Sequence, residues 1–304
     1  MTSPPLRILL TGSTGQVGKA LRQTLEPLGE ILAPDRRTLD LGKPHEIRKF
    51  ICESRPNLIV NAAAYTAVDR AETEPELAMA INGIAPRVLA EEACRLDAVL
   101  VHYSTDYVFD GTNSAAYTES DMPNPLNVYG KTKLTGEQAI QAVGGRHYIL
   151  RTSWVYAREG ANFLNTILRL AIEHPELRIV NDQVGAPTWA QCIADVTTQI
   201  LTSRLNCTDQ RFGLYHLTST GQVSWFGFAQ AILAGAEHKP GINLPRLIPI
   251  NTEEYPLPAR RPRNSRLNTS RLTTAFGIKL SPWQDMLTEC LRGKLSDKAL
   301  NPAY

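Results

Sequence analysis

A glycine-rich segment after the first apolar run constrains the fold more than any other feature of the chain. The segment Thr11–Gly18 reads T-G-S-T-G-Q-V-G, with glycines at positions 12, 15 and 18. The apolar run Arg7–Leu10 precedes it, and an amphipathic stretch follows. Glycines at such a strand-to-helix junction permit a tight turn and a close approach of a pyrophosphate to the free N–H groups of the helix. The segment therefore predicts a dinucleotide-binding βα unit.

Two other interpretations of this turn can be compared with the sequence. The glycines could serve only the turn and the close packing of helix on sheet. A P-loop for nucleotide hydrolysis requires Ser or Thr after its Gly-Lys pair and another glycine earlier in the loop. Here Gly18 and Lys19 are followed by Ala20, and Ser13 stands at the earlier glycine position. The sequence thus favours dinucleotide binding over nucleotide hydrolysis.

The end of the second predicted strand bears on the choice of cofactor. Asp35 lies about 20 residues beyond the turn and is followed by Arg36 and Arg37. A carboxylate there favours the free ribose 2′-hydroxyl of NADH, whereas arginines favour the 2′-phosphate of NADPH. Both signals are present, so we predict NADPH or NADH; a solvated turn at the two arginines is the alternative.

Short apolar runs alternate with longer amphipathic stretches in the first half of the chain, as in βα units around a parallel sheet. We therefore predict an α/β, doubly wound parallel sheet of Rossmann type in a dinucleotide-binding domain over residues 1–152. Residues 153–304 are expected to form mainly a smaller substrate-binding lobe, interleaved with the first domain. The predicted strands are Arg7–Leu10, Ile31–Ala33, Leu58–Asn61, Val99–Ser104 and Tyr148–Arg151. The predicted helices are Val17–Leu28, His45–Ser54, Glu76–Leu96, Val128–Val143 and Asn162–Ile172, and the proline-rich stretch Pro240–Arg263 predicts irregular loop.

Tyr129 and Lys133 form a second motif, expected one helical turn apart on one helix face. A phenol is a poor acid-base catalyst at neutral pH, and a neighbouring ammonium favours its ionised form and lowers its pKa. The pair suits protonation of a carbonyl oxygen while hydride arrives at carbon. Alone, Y-x-x-x-K also fits an aromatic ring packed beside a solvated lysine. Position favours catalysis, because the preceding strand ends at Thr105, where strand ends line a ligand crevice.

Charge and cysteine content argue against other classes of protein. The formal net charge of +2 does not favour nucleic acid or a membrane surface as partner, so a small molecule is expected. Five cysteines without a C-x-x-C pair predict buried, reduced thiols. The histidines lack the spacing of metal ligands, so we predict no metal. The serines lack a G-x-S-x-G elbow, which argues against a serine hydrolase. Without a signal-peptide pattern or an apolar run of roughly 18 residues, we expect a cytoplasmic protein.

Together the motifs resemble the extended short-chain dehydrogenase/reductase family. Its members combine a T-G-x-x-G-x-x-G turn, a third strand ending near N-A-A-A, here Asn61–Ala64, and the Y-x-x-x-K pair. Further blocks are similar to the members of this family that reduce keto-sugar nucleotides. They are Val60–Asp69, Ser104–Phe109, Pro125–Lys131, Arg151–Tyr156, Asn181–Thr188 and Arg261–Leu267.

The resemblance implies reduction of dTDP-4-keto-L-rhamnose at C4 to dTDP-L-rhamnose by NAD(P)H. It implies that Tyr129 donates the proton, that Lys133 holds the nicotinamide ribose and that Thr105 orients the carbonyl. Asp106 and Trp154 would contact the sugar, with core packing as the alternative for Trp154. The residues implied around the cofactor are Gly12, Gly15, Gln16, Val17, Gly18, Asp35, Arg36, Asp40, Leu41, Ala62, Ala63, Ala64, Tyr103, Tyr129 and Lys133. Three arginines, Arg261, Arg263 and Arg266, would meet the diphosphate or form a solvated basic loop.

The sequence departs from the family in one respect. Some members join subunits through acidic residues around magnesium, but two of the three corresponding positions here are Ala20 and Gln191, leaving Glu289. Hard cations prefer carboxylate ligands. We therefore expect at most a weak homodimer, without a bridging metal.

Two other functions stay open at this point. A related sugar-nucleotide epimerase or epimerase-reductase would use the same cofactor and the same Tyr/Lys pair. A non-catalytic NAD(P)-binding regulatory subunit would not need Tyr129, Lys133 and Thr105, so their presence counts against it. Fold alone does not separate these functions.

Overall fold

The computed structural model describes residues 6–205, 211–236 and 244–299. Its strands are β1 (Leu6–Thr11), β2 (Gly29–Leu32), β3 (Leu58–Asn61), β4 (Val99–Thr105), β5 (His147–Thr152), β6 (Val155–Tyr156), β7 (Glu176–Val180), β8 (Val184–Gly185), β9 (Thr188–Trp189), β10 (Gly213–His216), β11 (Val223–Ser224) and β12 (Arg246–Ile250). Six of them form one parallel sheet in the order β10-β5-β4-β3-β1-β2. The predicted α/β fold is confirmed.

Helices cover both faces of this sheet. The helices of the described residues are α1 (Gln16–Leu25), α2 (Pro44–Ser54), α3 (Val68–Ala71), α4 (Pro75–Met79), α5 (Ala85–Arg95), α6 (Val128–Val143), α7 (Phe163–Glu173), α8 (Ala190–Leu205), α9 (Trp225–Ala234), α10 (Ser270–Phe276) and α11 (Trp283–Ala299). Ile8 and Leu10 of β1 pack with α1 and α8, whereas Leu9 packs with α2 and α5 on the opposite face. Burial of both faces explains why these strands are apolar throughout.

The helix predicted over Glu76–Leu96 is wrong as one continuous helix. It divides into α4, a π-helical turn at Ala80–Ile84, and α5. Pro86 has no N–H to donate to the carbonyl of Asn82, and Gly136 of α6 packs closely against that same carbonyl. The interrupted helix therefore lets α6, which carries Tyr129 and Lys133, approach closely.

The second half of the chain contributes to the main sheet and forms a further core. Strand β10 pairs with β5 at the sheet edge, and α8 packs beside α1. The further core joins α7, α9 and α11 around Phe228 and Leu287. The division between residues 152 and 153 stays a prediction.

The prediction of irregular loop over Pro240–Arg263 is wrong for residues 246–250. Strand β12 forms there and pairs in parallel with β7. Pro249 lies within β12, which is possible because this sheet has only two strands and so leaves one side of each unpaired. Residues 240–243 lie outside the described residues.

The prediction of buried thiols is wrong for two cysteines. Cys52 and Cys94 are exposed free thiols, whereas Cys290 is buried and Cys207 lies outside the described residues. Over the residues described, the structure contains no helix with the length and apolar character required to cross a membrane.

Candidate active site

The strand order reverses at β1. Strand β2 lies on one side of β1 and β3 on the other, so the connection from β1 to β2 and the connection from β2 to β3 run in opposite directions across the sheet. Ligands of such sheets bind outside the carboxyl ends of the strands at this point. The glycine turn after β1 and the Ala62–Ala64 segment after β3 meet there, and the Ala62 N–H donates to the Thr11 carbonyl at 3.3 Å.

Two glycines of the turn are required by its geometry. Gly12 has φ +68°, and a Cβ on it would lie 2.6 Å from the backbone nitrogen of Ala63. A Cβ on Gly18 would collide with the Gly12 carbonyl. Gly15 is the extended N-cap residue of α1, so the first N–H groups of the helix follow the turn directly. The backbone segments of this turn lie too close together to admit side chains. The turn therefore fits a pyrophosphate bound by backbone N–H groups.

A cavity of about 210 Å³ opens beside the turn. The expected cofactor residues that line it are Gly12, Asp35, Arg36, Asp40, Leu41, Ala63 and Ala64. The Asp35 carboxylate accepts hydrogen bonds from the backbone N–H of Thr38 at 2.9 Å and from its hydroxyl at 2.8 Å, which lower the pKa of Asp35. Arg36 lines this cavity, whereas Arg37 is exposed outside it.

Other expected cofactor residues lie elsewhere around the turn. Gly15, Val17, Gly18 and Ala62 belong to the turn, to the start of α1 and to the end of β3. Gln16 lines a separate cavity of about 390 Å³ that also contains Ala20 and Gln191. The Tyr103 ring is in the core and its hydroxyl hydrogen-bonds with Thr197 at 2.7 Å, so only its backbone faces Lys133. The contacts of all these residues with a cofactor stay predictions.

Local signals position Tyr129 and Lys133. Asn127 caps α6 by accepting a hydrogen bond from the Gly130 N–H at 2.8 Å. Gly130 permits close packing, since a Cβ there would collide with the Tyr107 carbonyl. One turn further, the buried Lys133 ammonium donates to the Tyr103 carbonyl at 2.5 Å, with Nε2 of His102 3.2 Å away. Burial lowers the pKa of Lys133 to about 8.

The Tyr129 hydroxyl meets the end of β4. It lies beside Thr105, whose hydroxyl donates to the Asp106 carboxylate at 2.9 Å. Burial raises the pKa of Tyr129 to about 12; the neighbouring Thr105 hydroxyl opposes this shift and the charge of Asp106 adds to it. The prediction that Lys133 lowers this pKa is wrong for the structure, because the ammonium is directed at the Tyr103 carbonyl and burial dominates. The phenol therefore stays protonated at neutral pH, as a proton donor must.

The two expected sugar contacts lie in different surroundings. Asp106 is buried at the end of β4, and burial raises its pKa to about 6 against opposing hydrogen bonds from Ser265 and Thr105. Trp154 has φ +47°, and its ring stacks on Trp225 with centroids 3.5 Å apart. Trp225 lines a large cavity, so Trp154 supports the cavity wall from behind.

This large cavity has a volume of about 930 Å³. Its apolar lining includes Phe163, Leu170, Trp225 and Leu257. Four arginines also line it, namely Arg178, Arg260, Arg261 and Arg263. Arg261 also contacts Tyr107, whose ring packs edge-on against Tyr129 at 5.8 Å. Arg261 and Tyr107 thus connect the wall of this cavity with the Tyr129 ring.

The expected diphosphate arginines are not equivalent. Arg261 donates two hydrogen bonds to Asp69, at 2.7 and 3.0 Å, and Arg266 is held by Asn264, Gln222 and the Ser114 carbonyl. The exposed Arg263 pairs with Glu253 at 2.7 Å. Arg260, which was not among the arginines expected at the diphosphate, lines the cavity and makes no ion pair with any described residue. The only sequence signal for it was its position beside Arg261.

Two of the positions that correspond to acidic magnesium ligands in some family members lie close together in the structure. Ala20 and Gln191 line the same 390 Å³ cavity. Among the residues described, no three or more His, Cys, Asp or Glu side chains are grouped so that they could hold a metal ion. The expectation of a dimer without a metal bridge stays a prediction.

Comparison with known proteins places the chain in a family. A family model described as the RmlD substrate binding domain matches residues 6–295. The chain belongs to this family. A dTDP-4-dehydrorhamnose reductase of Burkholderia thailandensis is 46% identical over 297 residues, covering 96% of this chain and 100% of the relative.

Solved structures agree with this membership of the RmlD substrate binding domain family. A dTDP-4-dehydrorhamnose reductase of Clostridium acetobutylicum superposes with a TM-score of 0.88 at 38% identity, covering 94% of this chain and 99% of the other. One of Bacillus anthracis, solved in complex with NADP, has a TM-score of 0.87 at 35% identity, covering 95% and 99%. The resemblance found in the sequence is confirmed.

Proposed function

We propose that this chain reduces the C4 carbonyl of dTDP-4-keto-L-rhamnose with NAD(P)H to give dTDP-L-rhamnose, a step of dTDP-rhamnose biosynthesis. The observation that carries the proposal is the position of the Tyr129 phenol, beside Thr105 at the carboxyl end of β4 and one helical turn from the buried Lys133. The substrate follows from the names of the similar proteins. The free thiols of the described residues agree with the cytoplasmic location that we also propose.

Each residue of the constellation has a role in this proposal. NAD(P)H, when bound at the glycine turn, supplies the hydride. Thr105 holds the substrate carbonyl oxygen by a hydrogen bond, and Tyr129 donates its phenol proton to that oxygen. The high pKa of Tyr129 keeps the proton on the phenol until the oxygen becomes more basic. Lys133 holds the nicotinamide ribose through its ammonium, and Gly12, Asp35 and Arg36 hold the remainder of the cofactor.

A direct assay tests the proposal. The full chain is incubated with dTDP-4-keto-L-rhamnose and NADPH or NADH, and the loss of reduced-nicotinamide absorbance is followed together with chromatographic detection of dTDP-L-rhamnose. Stoichiometric formation of both products is expected. A parallel reaction with dTDP-4-keto-6-deoxyglucose, without a separate epimerase, detects an epimerase-reductase. If neither NADPH nor NADH supports turnover, the proposal is rejected.

Cofactor choice is expected to depend on Arg36. Arg36→Ala should raise the KM for NADPH roughly tenfold and the KM for NADH much less, because an arginine beside the ribose stabilises a 2′-phosphate. Arg37→Ala is the matched control, since Arg37 is exposed outside the cavity and the backbone, not the side chain, of Arg37 donates to Asp35. Steady-state kinetics with both cofactors measure the effect. Equal changes in the two KM values would refute a phosphate contact at Arg36.

Binding of the sugar nucleotide is expected to depend on Arg260. Arg260→Ala should raise the KM for the substrate roughly tenfold with a small change in kcat, because an arginine without an ion-pair partner among the described residues is available to the diphosphate. Arg246→Ala serves as control, since Arg246 is exposed on β12 and does not line the 930 Å³ cavity. Product inhibition by dTDP should weaken in parallel for Arg260→Ala alone. Unchanged dTDP inhibition would show that Arg260 does not meet the diphosphate.

A further inference from the structure

Four buried side chains form a row of contacts from Lys133 to the strand before the glycine turn. The Lys133 Nζ lies 3.2 Å from Nε2 of His102, the His102 Nδ1 lies 2.9 Å from Nδ2 of Asn61, and the Thr11 hydroxyl donates to Oδ1 of Asn61 at 2.7 Å. Each of the four is at most 3% exposed. Sheet register produces the alignment, because Thr11 pairs with Asn61 and Asn61 with His102 across β1, β3 and β4.

The chemistry of His102 limits which atoms can donate and which can accept along this row of hydrogen bonds. Burial and the charge of Lys133 lower the pKa of His102 well below its ordinary value, so its ring is neutral. A neutral imidazole donates from one nitrogen and accepts at the other, whereas an ammonium only donates. A charged Lys133 therefore needs a lone pair at Nε2, with the ring proton on Nδ1. That proton in turn needs an acceptor on Asn61.

Asn61 and Thr11 can supply this arrangement. Rotation of the Asn61 amide by half a turn presents its oxygen to Nδ1 of His102 and its nitrogen to the Thr11 hydroxyl, which accepts as well as donates. The orientation in the structure, with Nδ2 facing the ring, is the one that a neutral Lys133 requires, since the ring then donates from Nε2. Each charge state of Lys133 thus has an arrangement in which the contacts of Lys133 with His102 and of His102 with Asn61 are hydrogen bonds.

We propose that His102 is a positioning residue for Lys133: in its Nδ1-protonated tautomer the ring accepts a hydrogen bond from the ammonium, which favours the charged form of Lys133 and fixes its direction. The inference deepens the proposed function and rests on it for the role of Lys133 in turnover. His102 touches neither substrate nor cofactor in this assignment; it acts through Lys133.

The other groups facing Lys133 leave His102 a distinct contribution. From the same helix, the Glu137 carboxylate favours the ammonium, but Glu137 is itself paired with Arg151 of β5. From β4, the Tyr103 carbonyl is the second acceptor. Tyr129 is protonated at neutral pH and carries no charge. Loss of His102 would therefore leave the ammonium one acceptor among the described residues, besides the Glu137 carboxylate that is already paired with Arg151.

Two substitutions of His102 test this role through the pH dependence of kcat/KM. His102→Leu removes the acceptor and so disfavours the ammonium; the alkaline limb, expected near the Lys133 pKa of about 8, should move to lower pH. The size should be about one pH unit, as for a hydrogen bond to a charged group. His102→Gln can place its amide oxygen near the former Nε2 and should restore at least half of the shift. An unmoved limb in a folded His102→Leu protein, or equal shifts in both variants, would overturn the inference.

A measurement independent of turnover reads the tautomer directly. The full chain saturated with NADP⁺ is labelled with ¹⁵N-histidine, and the His102 signals are identified by their absence from the His102→Gln protein. At neutral pH the ring proton is expected on Nδ1 and is expected to move to Nε2 in Lys133→Met, which lacks the ammonium. Protonation of Nε2 at neutral pH with Lys133 intact would overturn the inference. If the protein shows the expected tautomer but does not reduce the sugar, only the proposed function is rejected, and the inference about His102 stands.

Discussion

Replacing Tyr129 by phenylalanine is expected to lower kcat of the proposed reduction at least about 100-fold, within the usual range for general acid catalysis, with little change in NADPH binding. The substitution retains the ring and its edge-on contact with Tyr107 at 5.8 Å but deletes the proton that the carbonyl oxygen receives. Thr105 keeps its hydrogen bond to Asp106. The loss should therefore fall on the chemical step.

The comparison requires a control and a test of the rate-limiting step. Tyr215→Phe is a suitable control, because Tyr215 lies on β10 and its hydroxyl donates to the Arg211 carbonyl. NADPH binding, followed by its fluorescence, should remain nearly equal in the three proteins. A near-normal kcat for Tyr129→Phe, with hydride transfer shown to be rate-limiting by a deuteride isotope effect, would remove Tyr129 as the acid and favour the regulatory-subunit alternative.

Local signals made several elements predictable from sequence. The helix over Val128–Val143 has its predicted bounds because both ends are encoded nearby: Asn127 caps the first turn, and Gly144, with φ +75°, ends the last. The strand Leu58–Asn61 also has its predicted bounds, since apolar residues fill it until a polar residue marks the carboxyl end. The glycine turn was predictable for the same reason, as its geometry depends on adjacent residues.

Features that depend on distant residues were not predictable. Strand β10 joins the far edge of the sheet beside β5 although more than fifty residues separate them, and no local pattern marks its partner. Strand β12 was missed because prolines dominate its surroundings. His102 looked like a polar residue in an apolar strand; its contact with Asn61 arises from the register of two strands, which a single sequence does not reveal.

The arginines near residue 261 illustrate the same limit. In sequence they form one basic stretch, for which a solvated loop and a diphosphate contact were equally acceptable. In the structure Asp69, after β3, pairs with Arg261, whereas Arg260 faces the large cavity. Only the partner, brought from nearly two hundred residues away, distinguishes the neighbouring arginines.

A second large effect is expected at a buried ion pair between α6 and β5. Arg151 donates to the two carboxylate oxygens of Glu137 at 2.6 and 2.9 Å, and their side chains are 3% and 2% exposed. Removing one partner leaves an uncompensated buried charge. Glu137→Leu or Arg151→Met should therefore lower the free energy of unfolding by roughly 3–5 kcal/mol each.

A double-mutant cycle separates the loss of the pair from the loss of packing. The protein carrying both Glu137→Leu and Arg151→Met contains neither charge, so its destabilisation should be much smaller than the sum of the two single effects. Urea unfolding followed by circular dichroism gives the four free energies. Additive effects would indicate that each side chain stabilises the fold independently, for example Arg151 through its position 5.0 Å over the Phe109 ring.

The pair of Glu137 and Arg151 should also affect the pKa of Lys133. Substitution of the two partners should shift this pKa in opposite directions. The Glu137 charge raises the pKa of Lys133, so Glu137→Gln should lower that pKa and move the alkaline limb of kcat/KM below its position near pH 8. Arg151→Met leaves the carboxylate without its compensating charge, so the ammonium is favoured and the limb should move to higher pH. Both profiles are measured at temperatures where each variant is folded. Shifts in the same direction would mean that these substitutions act on the shape of the site and not on the charge of Lys133.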